Sequence, residues 1–175
     1  MFSEPNKNIE QAGIQAGDYV ADLGSGSGFY TLSAAKVVGE RGKVFAIDIQ
    51  KDLLTKTKND LAKEGVFNVD ILWGDIEKLG GTRLNDSSVD WVILSNILFQ
   101  VREREIVAKE TARILKSGGR VLVVDWSDSF GGLGPRQEDV VSPDNAKNLF
   151  LKLGLVVDKE INAGAHHYGI VMKKS

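Results

Sequence analysis

A chain of 175 residues is long enough for one domain with a substantial core and too short for two of ordinary size. Hydrophobic residues make up 42% and charged residues 26%, the balance of an ordinary globular fold rather than a disordered or membrane-embedded one. A net charge of −2 supplies no broad electrostatic footprint for nucleic acid or an anionic bilayer, and the lack of cysteine removes disulfides, thiolate nucleophiles and Cys-ligated zinc.

Residues 1–17 are polar, allow a short helix around Asn8 to Ala12, and are expected as a lid segment in front of a single domain spanning 1–175. The start of the chain has neither a basic n-region nor an apolar h-region, and no run reaches the ~20 apolar residues that cross a bilayer. A cytoplasmic location without a membrane span is the resulting expectation.

The stretch Tyr19-Val20-Ala21-Asp22-Leu23-Gly24-Ser25-Gly26-Ser27-Gly28-Phe29-Tyr30 organises the rest of the chain. An apolar run ends near an acid, three glycines stand at every second position, and a helical pattern begins at once with Thr31, Leu32, Ala34 and Ala35. Glycine permits the sharp turn and lets a ligand touch the backbone. The helix behind it offers unpaired N–H groups to an electron-rich ligand. Dinucleotide sites carry G-x-G-x-x-G, whereas here the spacing is G-x-G-x-G, with Asp22 suited to a ligand that carries an ammonium group.

Downstream, 43–49 reads as a second strand ending at Asp48 and Ile49, 51–64 as an amphipathic helix stopped by Gly65, and 69–73 as a third strand running into Gly74-Asp75-Ile76. The continuous apolar run 88–96, ending at Ser95 and Asn96, reads as a strand buried on both faces. A helix over 103–116 is expected to stop at Ser117-Gly118-Gly119, followed by a strand over 120–126. Residues 127–142 are the longest break in periodicity and are expected over the acceptor side of the crevice, after which Ser142-Pro143 starts a helix that ends at Gly154. Strand patterns at 155–161 and 167–173 close the chain as a hairpin.

The V-x-D-x-G-x-G-x-G-type turn at Val20 to Gly28, the acid at Asp48, the Gly74-Asp75-Ile76 step and the LKSGGRVLVVD run at 115–125 resemble the class I S-adenosylmethionine-dependent methyltransferases, in the style of small type 11 and ubiquinone/menaquinone-type enzymes. The resemblance covers about residues 13–174. It implies an α/β fold: a Rossmann-like, doubly wound seven-stranded sheet, mostly parallel with an antiparallel last strand, and helices on both faces. It also implies S-adenosylmethionine as cofactor, with the loop of Gly24, Ser25, Gly26 and Gly28 around its methionine half. Asp48, beside Ile49, would accept from both ribose hydroxyls, since the crevice lies at the carboxyl ends of the strands. Asp75 and Ile76 would meet the adenine, and Ser95 and Asn96 would lie next to the transferable methyl. Tyr30 and Phe99 are candidates for contact with the sulfonium, with core packing as the plain alternative. Asn96 lacks the prolines of base-methylating relatives.

Methyl transfer needs a base only if the acceptor loses a proton. The candidates are Asp125, Asp128 and the adjacent pair His166-His167, of which at most one faces the crevice if both lie on a strand. No spacing of these residues points to a metal. The expected acceptor is a small molecule, with protein or RNA left open and the oligomeric state undetermined. The competing reading is an NAD(P)-binding Rossmann-like oxidoreductase or a non-catalytic nucleotide-binding module.

Overall fold

The computed structural model describes residues 3–175, so Met1 and Phe2 of the expected lid segment lie outside the described residues. Seven strands form one sheet in the order β3-β2-β1-β4-β5-β7-β6. They are β1 Tyr19–Leu23, β2 Lys43–Asp48, β3 Val69–Trp73, β4 Val89–Ser95, β5 Leu115–Trp126, β6 Val156–Ile161 and β7 His167–Lys173. All neighbouring pairs are parallel except those made by β7, which runs antiparallel to both β5 and β6.

Burial follows position in the sheet. β1, β4 and the second half of β5, in the middle, are buried almost throughout, whereas the edge strands β3 and β6 are largely open to solvent. Five helices cover the two faces: α1 Pro5–Ala12, α2 Phe29–Val38, α3 Lys51–Lys63, α4 Arg104–Ile114 and α5 Pro143–Leu151. One apolar cluster joins Val107, Ile114, Ala146 and Phe150 of α4 and α5 to the sheet. The other joins Ile9 and Ala12 of α1 and Ala34 and Val38 of α2 to Val20, Ile93 and Leu122. From β1 the chain winds outward through β2 and β3, then returns to place β4 on the other side of β1. This reversal opens a crevice at the carboxyl ends of β1 and β4, the usual ligand position in such sheets.

Two elements depart from expectation. The helix over 103–116 ends at Ile114, and β5 begins at once with Leu115, which pairs with Val89. The Gly118-Gly119 step is part of that strand, because Lys174 near the C-terminus supplies its backbone partners: Gly118 N donates to Lys174 O at 2.9 Å and Lys174 N to Gly119 O at 2.8 Å. The 127–142 stretch contains two short 3-10 turns, Phe130–Gly132 and Gln137–Asp139. The segment between β3 and β4, residues 74–88, has no helix or strand at all.

Candidate active site

The turn after β1 is built as its glycines require. Gly24, Gly26 and Gly28 have φ of 72°, 53° and 78°, in the left-handed region that costs side-chain-bearing residues strain. A Cβ on Gly24 would lie 2.1 Å from Ile97 Cδ1, and one on Gly28 would lie 2.5 Å from Thr57 Cγ2. At Gly26 the nearest atom would be 3.9 Å away, so the outer side of the loop is open. Between these glycines the Ser25 hydroxyl is buried without a hydrogen-bond partner. A buried polar group left unpaired costs about 1–3 kcal/mol, and a polar ligand in the crevice would remove that cost.

Two acids flank the turn. Asp22 is 2% exposed, and its Oδ2 accepts from Thr31 Oγ1 at 2.6 Å. Burial is the main cause that raises its pKa to about 6, and the nearby Asp48 adds to it. Asp48 accepts from Gly26 N through Oδ2 at 2.9 Å and from Gln50 N through Oδ1 at 2.8 Å, so it ties the end of β2 to the glycine turn.

Asp22, Gly24, Ser25, Gly26, Gly28, Tyr30, Ser95 and Asn96 line a single cavity of about 320 Å³, together with Ser3, Pro5 and Gln100. Ile49 and Asp75 line a separate cavity of about 400 Å³ on the far side of β2. Ile76 is 8% exposed and sits under the turn, 3.8 Å from the Cβ position of Gly24. Tyr30 has a structural task that sequence reasoning missed. Its hydroxyl receives the Asn8 side-chain N–H at 2.8 Å and lies 2.8 Å from Ser3 Oγ, so it fastens α1 over the turn.

At the opposite wall Asn96 adopts φ 56°, and its Oδ1 lies 3.0 Å from Nε2 of His167. The other ring nitrogen of His167 lies 3.1 Å from Ala165 O, so both nitrogens face protein oxygens. His166, the residue before β7, directs Nδ1 at both oxygens of Asp128, 2.9 Å from each. That contact holds the Asp128 carboxyl below its ordinary pKa. Asp125 has a different place. It is 0% exposed and accepts Leu98 N and Trp126 N at 2.8 Å each, so its carboxyl holds the corner after β4 rather than facing the cavity. Burial raises its pKa to about 6 against those bonds.

The segment 74–88 has an anchor no motif announced. Glu110 of α4, 0% exposed, accepts Gly80 N, Thr82 N, Thr82 Oγ1 and the Arg113 guanidinium. Glu77 Oε2 in turn accepts Arg102 N and Glu103 N at the start of α4. The only sequence signal was an acid and an arginine three apart on a helix.

Comparison with known proteins agrees with this geometry. A family model described as a methyltransferase domain matches residues 14–171. The chain is 32% identical over 154 residues, 87% of its length, to a ubiquinone/menaquinone biosynthesis C-methyltransferase of Hydrogenovibrio crunogenus, and covers 58% of that protein. It is 35% identical over 114 residues, 65% of its length, to an arsenite methyltransferase of Halobacterium salinarum, and covers 28% of it. The chain thus spans about half or less of the length of most of these curated relatives. Among solved structures, a SAM-dependent methyltransferase from Aquifex aeolicus superposes with TM-score 0.89 at 27% identity, covering 99% of this chain and 91% of that one. These matches do not favour the NAD(P)-binding alternative. Among the described residues no helix is long and apolar enough to cross a membrane. With a seven-stranded sheet of this order, a G-x-G-x-G turn at its switch point and a family match over most of its length, the chain belongs to the class I S-adenosylmethionine-dependent methyltransferase family.

Proposed function

We propose that the protein, a single domain over 1–175, transfers a methyl group from S-adenosylmethionine to a small molecule in the cytoplasm. The observation that carries this reading is the glycine turn, whose Ser25 hydroxyl is buried without a hydrogen-bond partner and which is flanked by the buried acids Asp22 and Asp48. The open backbone at Gly26 and the Ser25 hydroxyl suit the methionine carboxylate, and Asp22 suits the ammonium. Asp48 is the ribose acceptor in this reading, Ile49, Asp75 and Ile76 border the adenine, and Tyr30, Ser95 and Asn96 stand nearest the reacting end. When bound, the cofactor supplies a methyl group on a sulfonium, open to in-line displacement. The protein's part is to hold donor and acceptor in line and keep water out, which is worth on the order of 7–11 kcal/mol. A small acceptor is supported by the compact cavity of about 320 Å³ and by relatives named for arsenite and for ubiquinone/menaquinone biosynthesis.

The test is transfer of labelled methyl from S-adenosylmethionine into a fractionated cell extract, with Asp48→Ala as control. Label in a small-molecule fraction above the control is the expected result. Label in a protease- or RNase-sensitive fraction would replace the acceptor class, and no label would overturn the reading.

A further inference from the structure

We propose that the open edge of β3 pairs with the same edge of a second copy of this chain, antiparallel about a two-fold axis at Val69, with Phe67 of each copy seated in the cavity beside the β3 of the other. The proposal goes beyond the methyltransferase reading and stands apart from it.

The two edges of the sheet, β3 and β6, are built differently. β6 carries Asp158, Lys159 and Glu160 in succession and a register shift between Val157 and Lys159, the charges and irregularity that keep an edge from pairing with another chain. β3 has no lysine, no proline and an unbroken register on β2, and its one charged residue, Asp70, is neutralised by Lys43 at 2.9 Å. Asn68 O receives Val44 N, and Gly74 N donates to Asp48 O, so the even-numbered residues face β2. Val69, Ile71 and Trp73 therefore turn their amides and carbonyls outward. Among the described residues no strand pairs with that row.

A second copy fits this edge because the edge complements itself. With Val69 opposite Val69 of the second copy, each Ile71 stands opposite a Phe67 and each Asp70 opposite an Asn68, so apolar meets apolar and carboxylate meets amide. Moving the axis to Ile71 would set Asp70 against Leu72, and a one-residue slip would turn the apolar row to the wrong face. Phe67, two residues before β3, is the anchor: it is 83% exposed, and docking would take its ring out of water. Lys58, Leu61, Ala62, Val69 and Ile71 line a cavity of about 490 Å³ beside the strand. An apolar floor with one exposed ammonium suits an aromatic ring. Under two-fold symmetry each ring meets the cavity of the other copy, so the contact closes as a dimer and does not extend into a filament.

Sedimentation equilibrium on the full chain is expected to show a species of twice 19.1 kDa at micromolar concentration, dissociating on dilution because one strand and one ring per copy make a small interface. Phe67→Glu changes a side chain already in solvent, so it is expected to fold and to weaken the dimer at least tenfold, while Val157→Lys on β6 leaves it unchanged. The chain has no cysteine, so single cysteines report the register. A short bis-maleimide is expected to link Val69→Cys to its own copy, since opposed residues lie about 5.5 Å apart, and to leave Ile71→Cys unlinked, since its two copies lie about 13 Å apart along the strands. A wild type that stays monomeric throughout the micromolar range overturns the proposal, and so does a dimer that Phe67→Glu leaves intact or Val157→Lys breaks. Failure of Val69→Cys to link, or linking of Ile71→Cys, refutes the register and with it the seat of Phe67.

Discussion

The Gly26 amide donates to Asp48 Oδ2 at 2.9 Å, joining the middle of the glycine turn to the end of the neighbouring strand. The same carboxylate accepts Gln50 N through its other oxygen, so one side chain sets two loops of the crevice. Asp48→Asn keeps an acceptor toward Gly26 but removes the charge. The variant is expected to melt near the wild-type temperature and to bind S-adenosylhomocysteine about tenfold or more weakly, because a bond to a charged group is worth roughly 1.5–3 kcal/mol. Titration calorimetry decides it, and an unchanged affinity would remove Asp48 from the ribose site.

Asp22 carries a pH signature. Burial raises its pKa from 3.8 to about 6, so the neutral form is the one the ligand-free fold prefers. That preference stabilises the protein fully below about pH 4 and is lost as pH rises through about 6. Asp22→Asn should therefore match wild type near pH 4 and exceed it near pH 7 by up to about 3 kcal/mol in urea unfolding. Its cofactor affinity should fall, since the ammonium loses its counter-charge. A variant that is less stable than wild type at both pH values would refute this account of the site.

Glu110 works in the opposite direction. Against the cost of its burial, bonds from Arg113, Thr82 and Gly80 hold its pKa at about 2, below the ordinary 4.5. Its contribution is present above about pH 4.5 and is lost as pH falls through about 2. Glu110→Ala leaves the Gly80 and Thr82 amides without their acceptor, while Arg113 keeps its ion pair with Asp86 at 2.6 Å, and is expected to cost about 1–3 kcal/mol per unpaired amide. Faster amide exchange should follow along 74–88, the segment it pins. Exchange unchanged in that segment would show that another anchor holds it.

Gly24 and Gly26 separate steric from ligand effects. Both have positive φ, but an added Cβ meets Ile97 at 2.1 Å only at Gly24. Gly24→Ala is expected to lower the melting temperature clearly more than Gly26→Ala, whose cost is the backbone strain of about 1–3 kcal/mol. Both should weaken S-adenosylhomocysteine binding. Gly26→Ala with wild-type affinity would mean that the ligand does not approach that side of the loop.

Loosening α1 should reach the cavity. Tyr30→Phe removes one of the two oxygens to which the buried Asn8 Nδ2 donates, the other being Ser3 Oγ at 3.1 Å, and is expected to cost about 0.5–1.5 kcal/mol. Higher protease sensitivity at the N-terminal segment is expected, with weaker cofactor binding, because Ser3 and Pro5 line the same cavity as the glycine turn.

Periodicity and turn chemistry are local, so the strand positions, the glycine turn and the acids near the ends of β1 and β2 and after β3 were legible in the chain alone. Even the N-cap at Ser142, which accepts Asn145 N at 3.2 Å, lies within four residues. Features whose partners lie far along the chain came only with the folded molecule. The strand course of Gly118 and Gly119 depends on Lys174, the 74–88 segment on Glu110, and the fate of Asp125 on the amides after β4. The adjacent histidines took different tasks because one faces Asn96, 71 residues away, and the other Asp128, 38 residues away. A residue's own neighbours in sequence state which backbone it prefers; which charge, amide or ring it meets is set only when the sheet brings distant strand ends together.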